Sequence, residues 1–305
     1  MKYRNLRRQL RARLTANRVL AVPGVYDALS ARQVERAGFE AVHAGSYSFA
    51  SSLALPDVGM LTMTEICEKV SGIASAVSIP VIADAENGFF NPAAIGRAVR
   101  CFEQAGASAI HIEDHLSGKH TSEPRRVVPL DEAVQKIRAA LAAREDPDFM
   151  IIARTDIAWV TRSVADAVAR MKAFIAAGAD AVMPTGLTLE QLREVRQHVS
   201  AHVVIVNSNG DSLESEQAAG ASIVIYHSFC VNAANFGIQQ ALQRFSATHR
   251  IGSLGGAMSS LEEIEDLVGY DEYNRHLQRY APPSRSPEAR DSADLTTPET
   301  QADER

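Results

Sequence analysis

The sequence predicts an α/β protein built as one closed (β/α)8 TIM barrel, and three observations carry that expectation. From Arg18 onward, short β-branched apolar runs alternate with longer stretches of helical periodicity, the pattern of a parallel sheet wrapped by helices. Eight such pairs fit into about 230 residues, close to the roughly 250 typical of a closed barrel. No G-x-G-x-x-G follows the first apolar run and no G-x-x-x-x-G-K-[ST] occurs in the 305 residues, which sets aside a doubly wound nucleotide-binding sheet.

Each element has its own signal. Leu6, Leu10 and Leu14 recur at helical spacing among seven basic residues, with no acid before Arg18. This predicts an amphipathic helix packed on the body of the protein, the alternative being an organelle-targeting peptide. Strands are expected over 19–22, 41–44, 80–84, 109–113, 149–154, 179–183, 203–207 and 222–226, and helices over 26–37, 62–76, 93–104, 130–143, 164–177, 189–198 and 213–219. Ala37-Gly38, Ala105-Gly106, Ala177-Gly178 and Ala219-Gly220 close four of these helices, as a left-handed glycine cap does. Extra C-terminal helices follow the eighth unit, over 231–244 and within 260–280, with a glycine-rich connector at 252–256. Residues 1–281 therefore read as a single domain. Residues 282–305 hold four prolines, six acids and Leu295 as the one large apolar residue, too little burial to offset ordering, so a disordered tail is expected.

Composition narrows the function. A formal net charge of −6 speaks against a general nucleic-acid binder. Cys67, Cys101 and Cys230 are odd in number and widely spaced, which suggests neither a disulfide framework nor a zinc site. No apolar run approaches the ~18 residues needed to cross a bilayer, so no membrane partner and a cytoplasmic location are expected.

In such a barrel the catalytic groups stand at the C-terminal ends of the strands. Those ends here are polar: Ala44-Gly45-Ser46, Asp84-Ala85-Glu86, Glu113-Asp114, Arg154-Thr155-Asp156, Thr185, Asn207-Ser208-Asn209 and Tyr226-His227. Four carboxylates from the third and fourth strands facing one arginine would repel one another in a dry pocket without a cation. An all-oxygen set without cysteine favours a hard ion, Mg2+ with Mn2+ as a substitute, on Asp84 with Glu86 and Glu113 behind it. His115 and His120 read as solvated loop histidines, His227 equally as a ligand or a core polar group, and Trp159 as an interface residue.

These residues resemble the isocitrate lyase and phosphoenolpyruvate mutase superfamily. The matching segments are Val22-Pro23-Gly24-Val25-Tyr26-Asp27-Ala28-Leu29-Ser30-Ala31, Leu55-Pro56-Asp57 with Leu61-Thr62, 80–88, Ile112-Glu113-Asp114, 151–155 and 177–181. The resemblance implies a metal-dependent enzyme acting on a small 2-oxo or 2-hydroxy carboxylate through a pyruvate enolate or a related intermediate. It implies that Gly45, Ser46 and Tyr47 hold the pyruvyl carboxylate, that Asp84 binds Mg2+ while Glu86 and Glu113 hold its waters, that Arg154 grips the second anionic group, and that Asp57 helps close the site. It also implies a homotetramer whose helices after the eighth strand are exchanged between subunits.

The departures refine the expectation. The C–C lyases for isocitrate and methylisocitrate carry a cysteine motif on a mobile loop, where this chain reads Lys119-His120-Thr121-Ser122-Glu123. The form is similar to the phosphonopyruvate hydrolase and mutase branch, in which the residues matching Lys119, Thr121 and Ser122 cover the phosphoryl group. Thr185 and His43 depart from that branch, Glu86 replaces the usual second aspartate, and Phe90 replaces a small residue. The oxaloacetate decarboxylase branch also lacks the cysteine and keeps the metal and arginine positions. The first expectation is therefore a Mg2+-dependent lyase on a di- or tricarboxylate, with Lys119, Thr121 and Ser122 arriving on a lid and Thr185 and Asn207 completing the substrate pocket. P–C bond chemistry is the second, and a non-catalytic binding barrel the third.

Overall fold

In the computed structural model, residues 1–16, 18–116, 120–207 and 209–281 are described. Eight parallel strands close into a barrel in sequence order: β1 (Leu20–Val25), β2 (Val42–Ala44), β3 (Val81–Asp84), β4 (Ala109–Glu113), β5 (Met150–Thr155), β6 (Ala181–Pro184), β7 (His202–Val206) and β8 (Ile223–Tyr226). The expected (β/α)8 architecture is what forms. Around it run α1 (Lys2–Thr15), α2 (Ala28–Arg36), α3 (Ser46–Ser52), α4 (Met63–Ala76), α5 (Gly96–Gln104), α6 (Leu130–Ala143), α7 (Ile157–Thr161), α8 (Val164–Ala176), α9 (Leu189–Arg196), α10 (Leu213–Ala218) and α11 (Phe229–Thr248). The short helices α3 and α7 had no counterpart in the sequence pattern. The chain divides into two compact units, Met1–Ala257 and Met258–Arg305. In the second, α12 (Leu261–Val268) and α13 (Tyr270–Tyr280) are separated by Gly269 at φ 87°, a left-handed turn that glycine adopts without strain. The tail expected to be disordered lies outside the described residues.

Strand alternation decides what faces inward. Successive side chains of a strand point to opposite sides. Leu20, Val22, Ile82, Ala109, Met150, Ile152, Ala181, Met183, Val204, Ile223 and Ile225 form one buried cluster inside the barrel. Their neighbours Val81, Ala83, Ile110, Ile151, Ala153, Val182, Val203 and Val224 belong to the cluster between sheet and helices. Two residues beyond the last apolar inward position of a strand come Asp84, His111 with Glu113, Arg154, Thr185 and His227. The polar constellation of the mouth is thus a continuation of the core's own period.

The other end of the barrel is stoppered by α1. Leu10 and Leu14 join the interior cluster, and Arg7, 5% exposed, hydrogen-bonds Asp146 Oδ2 at 2.9 Å and the Ala107 carbonyl at 3.0 Å, with Glu103 Oε1 at 3.5 Å. The amphipathic reading of this segment holds. Capping boxes start α2 (Asp27 with Ser30), α4 (Thr62 with Glu65) and α9 (Thr188 with Gln191), satisfying first-turn N–H groups. At Gly24 a Cβ would stand 2.1 Å from the His227 carbonyl oxygen, so only glycine lets β1 pass the end of β8. No described helix is long and apolar enough to cross a membrane.

Candidate active site

A cavity of about 440 Å3 opens at the C-terminal ends of the strands, lined among others by Gly45, Tyr47, Asp57, Asp84, Arg154, Thr185, Asn207 and His227. Asp84 closes β3 and is 5% exposed. Its Oδ2 accepts from the Ser46 hydroxyl at 3.0 Å and its Oδ1 from the Glu86 N–H at 2.9 Å. Glu86 sits at φ 49°, a left-handed conformation costing a non-glycine residue about 1–2 kcal/mol. That turn brings one carboxylate oxygen each from Asp84, Glu86 and Glu113 within 4.8 Å of one another, and the Glu113 N–H donates to the Glu86 carbonyl at 2.9 Å.

Arg154 stands opposite Glu113 in the β4–β5 register and its Nη1 lies 2.9 Å from Glu113 Oε2. Its Nε and Nη2 reach the two oxygens of Asp156 at 2.9 and 3.2 Å. Burial disfavours the charged guanidinium, but Asp156, Glu113 and Asp84 outweigh it and push the Arg154 pKa up. Burial likewise opposes the Asp156 carboxylate, yet Arg154 and hydrogen bonds from His115, Arg154 and Thr185 hold its pKa down. Asp114 accepts from Thr155 Oγ1 at 2.6 Å, the Asp156 N–H at 2.9 Å and Arg170 Nη1 at 3.0 Å. It locks the end of β5 to β4 and α8.

Two histidines fill the floor. The Nε2 atoms of His43 and His111 are 3.0 Å apart and the rings stack at 5.3 Å, while His111 Nδ1 is 3.5 Å from Asp84 Oδ1. Burial, then the neighbouring His111, depress the His43 pKa from 6.5 to about 3. Gly45 caps α3 directly above, where a Cβ would meet the His43 ring at 2.5 Å.

The expected site residues fall into three groups. Gly45, Tyr47, Asp57, Asp84, Arg154, Thr185 and Asn207 line the cavity, with Ser46, Glu86 and Glu113 gathered around Asp84 by the contacts above. Thr185 fills its position by donating to Asp156 Oδ1, and Asn207 is engaged with its own loop, donating to the Asp211 carbonyl at 2.8 Å and accepting from Gly210 at 3.1 Å. Thr121 and Ser122 are exposed and do not line the cavity, although His120 beside them reaches within 3.5 Å of Asp57. Lys119 lies outside the described residues. His115, expected on a solvated loop, is 3% exposed and its Nδ1 is 3.4 Å from Asp156. Trp159, expected at an interface, lines the cavity with Arg125 stacked 4.3 Å from its ring centre. The sequence pattern brought out Asp156 as a polar strand end and His43 as a departure but gave neither a role in the site, and it missed His111, although both histidines occupy inward positions of their strands and Asp156 follows Arg154 at spacing two.

Known proteins match this arrangement along most of the chain. The family described as Phosphoenolpyruvate phosphomutase matches residues 10–246. The 2,3-dimethylmalate lyase of Eubacterium barkeri is 32% identical over 288 residues, covering 91% of this chain and 99% of the relative. The crystal structure of phosphoenolpyruvate phosphomutase from Streptomyces platensis subsp. rosaceus superposes with a TM-score of 0.86 at 31% identity, over 90% of this chain and 99% of that one. Phosphonopyruvate hydrolase, solved in complex with oxalate and Mg2+, gives a TM-score of 0.84 at 30% identity over 90% and 99%. The chain belongs to the phosphoenolpyruvate phosphomutase family, within the PEP mutase/isocitrate lyase superfamily of enzymes whose named members include lyases.

Proposed function

We propose that the protein is a Mg2+-dependent carbon–carbon lyase acting on a small 2-oxo or 2-hydroxy di- or tricarboxylate through a pyruvate enolate-type intermediate, the enolate being that of pyruvate in a decarboxylation and that of the departing acid in a retro-aldol cleavage. The observation that carries this reading is the buried Asp84–Glu86–Glu113 cluster joined to Arg154 at the mouth of the barrel. Three carboxylates converging within 4.8 Å with no sulfur donor suit a hard divalent ion, Mg2+ or Mn2+. When bound, the ion supplies Lewis acidity toward the substrate's 2-oxygen.

The chain's own groups do the rest. The Ser46 hydroxyl holds Asp84 in one orientation, and the backbone of Gly45, Ser46 and Tyr47 enters α3 without a side-chain cap, leaving N–H donors for the pyruvyl carboxylate. Arg154 has five N–H donors, of which three already face Asp156 and Glu113; the remaining two take the second anionic group. Tyr47 sets its edge against His120 and His227 at 6.1 and 5.5 Å, and Asp57 meets His120. Closure of the segment bearing Lys119, Thr121 and Ser122 over this rim would exclude water from the enolate. The enzyme acts in the cytoplasm as a homotetramer.

The second reading, phosphonopyruvate hydrolysis or mutation, is favoured by the likeness to phosphonopyruvate hydrolase. Against it, Thr185 turns its hydroxyl to Asp156. Release of pyruvate from oxaloacetate, 2-methylisocitrate and 2-methyl-substituted malates, and of glyoxylate from malates without the 2-methyl group, assayed with Mg2+ and with chelator, separates the two. The lyase reading expects release that disappears on chelation and in Asp84→Ala; phosphate released from phosphonopyruvate with no carboxylate turned over would replace it with the second.

A further inference from the structure

Whichever carbon–carbon bond breaks in the proposed reaction, its electron pair passes to an enolate, and the enolate carbon must then take a proton. Arg154 is clamped by Asp156 and Glu113 and stays a cation. The floor histidines are turned to each other and, through His111, to Asp84. Glu216 meets the Tyr226 hydroxyl at 3.4 Å, and Cys67, Cys101 and Cys230 do not line the cavity. Two histidines at the rim, His120 and His227, line it together with Asp84 and Arg154, and both meet the edge of the Tyr47 ring, at 6.1 and 5.5 Å.

Their settings differ. The Nδ1 of His227 is enclosed with no hydrogen-bond partner among the described residues, so a proton there would have no acceptor. Burial, then the charges of Arg154 and His120, lower the His227 pKa. His120 is half-exposed, and its Nε2 lies 3.5 Å from Oδ2 of Asp57, whose own side chain is only 6% exposed. A carboxylate beside an imidazole favours its charged form. The backbone holds both partners at the rim. After α3 the chain turns at Ala54, φ 57°, and the Leu55 N–H donates to the Ala50 carbonyl at 2.9 Å, two residues before Asp57. The loop from β4 to α6 doubles back through the antiparallel bridge His115↔Val127 and a 2.9 Å bond from the Leu116 N–H to the Arg126 carbonyl, and His120 lies on the stretch between them.

We propose that His120, oriented by Asp57, is the catalytic acid that protonates the enolate carbon, with Asp57 as its positioning residue. The proposal rests on the lyase reading of the mouth. In a decarboxylation the bond to the leaving carboxylate breaks and carbon dioxide departs. An N–H bond of the imidazolium then breaks as the C–H bond forms, and solvent returns a proton to the neutral ring. In a retro-aldol cleavage the neutral ring first takes the proton that the 2-hydroxyl loses and then delivers it to the carbon. The test uses the full chain with Mg2+ and whichever carboxylate of the panel above is cleaved fastest. His120→Ala should lower kcat by about two to four orders of magnitude, with KM and the Mg2+-dependent affinity for oxalate within about threefold of wild type. Added imidazole should restore its turnover in proportion to concentration, and His120→Asn, closer in size, should show the same loss. Adding Asp57→Asn to His120→Ala should cost little more, since Asp57 acts through His120. Turnover of His120→Ala within about threefold of wild type, a loss that imidazole does not reverse, or a comparable loss found in His227→Asn instead overturns the proposal and leaves the lyase reading standing. Cleavage of no panel member by the wild type removes both.

Discussion

Arg154 is held by Asp156 on one edge and Glu113 on another before any ligand arrives, so its geometry is set by the protein and not by the substrate. Lysine keeps the charge but offers no planar fork. Arg154→Lys should therefore lower kcat/KM by about two to three orders of magnitude in steady-state assays of the pyruvate-releasing reaction, with the fold retained. His43 yields a prediction of a different kind. Its folded-state pKa is about 3 against 6.5 for the free side chain, so below pH 6.5 the unfolded chain takes up a proton that the folded one refuses. Stability contributed by neutral His43 is complete above 6.5 and declines as pH falls toward 3. Between pH 7 and 5 this amounts to about 2 kcal/mol, measurable by denaturant unfolding at the two pH values, and His43→Gln should flatten the dependence by that amount.

Elements differ in how they are held, and α1 depends on one buried side chain. Arg7 contacts Asp146 and Glu103, all three side chains being 6–8% exposed. Removing the cation leaves two acids in the interior, and Arg7→Met should cost about 3–5 kcal/mol, read from urea unfolding at neutral pH. The eight strands were legible because each is a short, largely apolar run, most of them carrying Val or Ile, that a doubly covered sheet can bury. The helix α3 was not, since serine occupies four of its seven positions and favours turns over helix interiors; the helix forms because Phe49 is fully buried and Gly45 lets the chain turn above His43. Asp84, Glu113 and Arg154 were legible as polar groups ending apolar strands. The link from Thr185 to Asp156 spans 29 residues and exists only because β5 and β6 are neighbours. The short pairing of β6 with β7, at Ala181↔His202 and Val182↔Val203, left no mark, because both segments read as ordinary strands.

At the scale of the molecule, α11 has no buried residue along its 20 positions and exposes Phe229, Phe236, Ile238 and Leu242 by more than half. An apolar face of this kind marks an association surface. Light scattering should give four times the chain mass, and Phe236→Glu with Leu242→Glu should lower it. The barrel itself is unequal around its circumference. Asp84, Glu113 and Arg154 stand on β3, β4 and β5, neighbouring strands paired in register, and Asp114 ties the end of β4 to Arg170 of α8. The cavity lining of Leu187, Leu189 and Leu192, on and before α9, belongs to another sector. Changes at Leu189 or Leu192 can widen or narrow what enters without moving a carboxylate or the guanidinium. A lineage carrying this barrel can thus exchange one substrate for another by small steps in a single wall, each intermediate still able to do the chemistry.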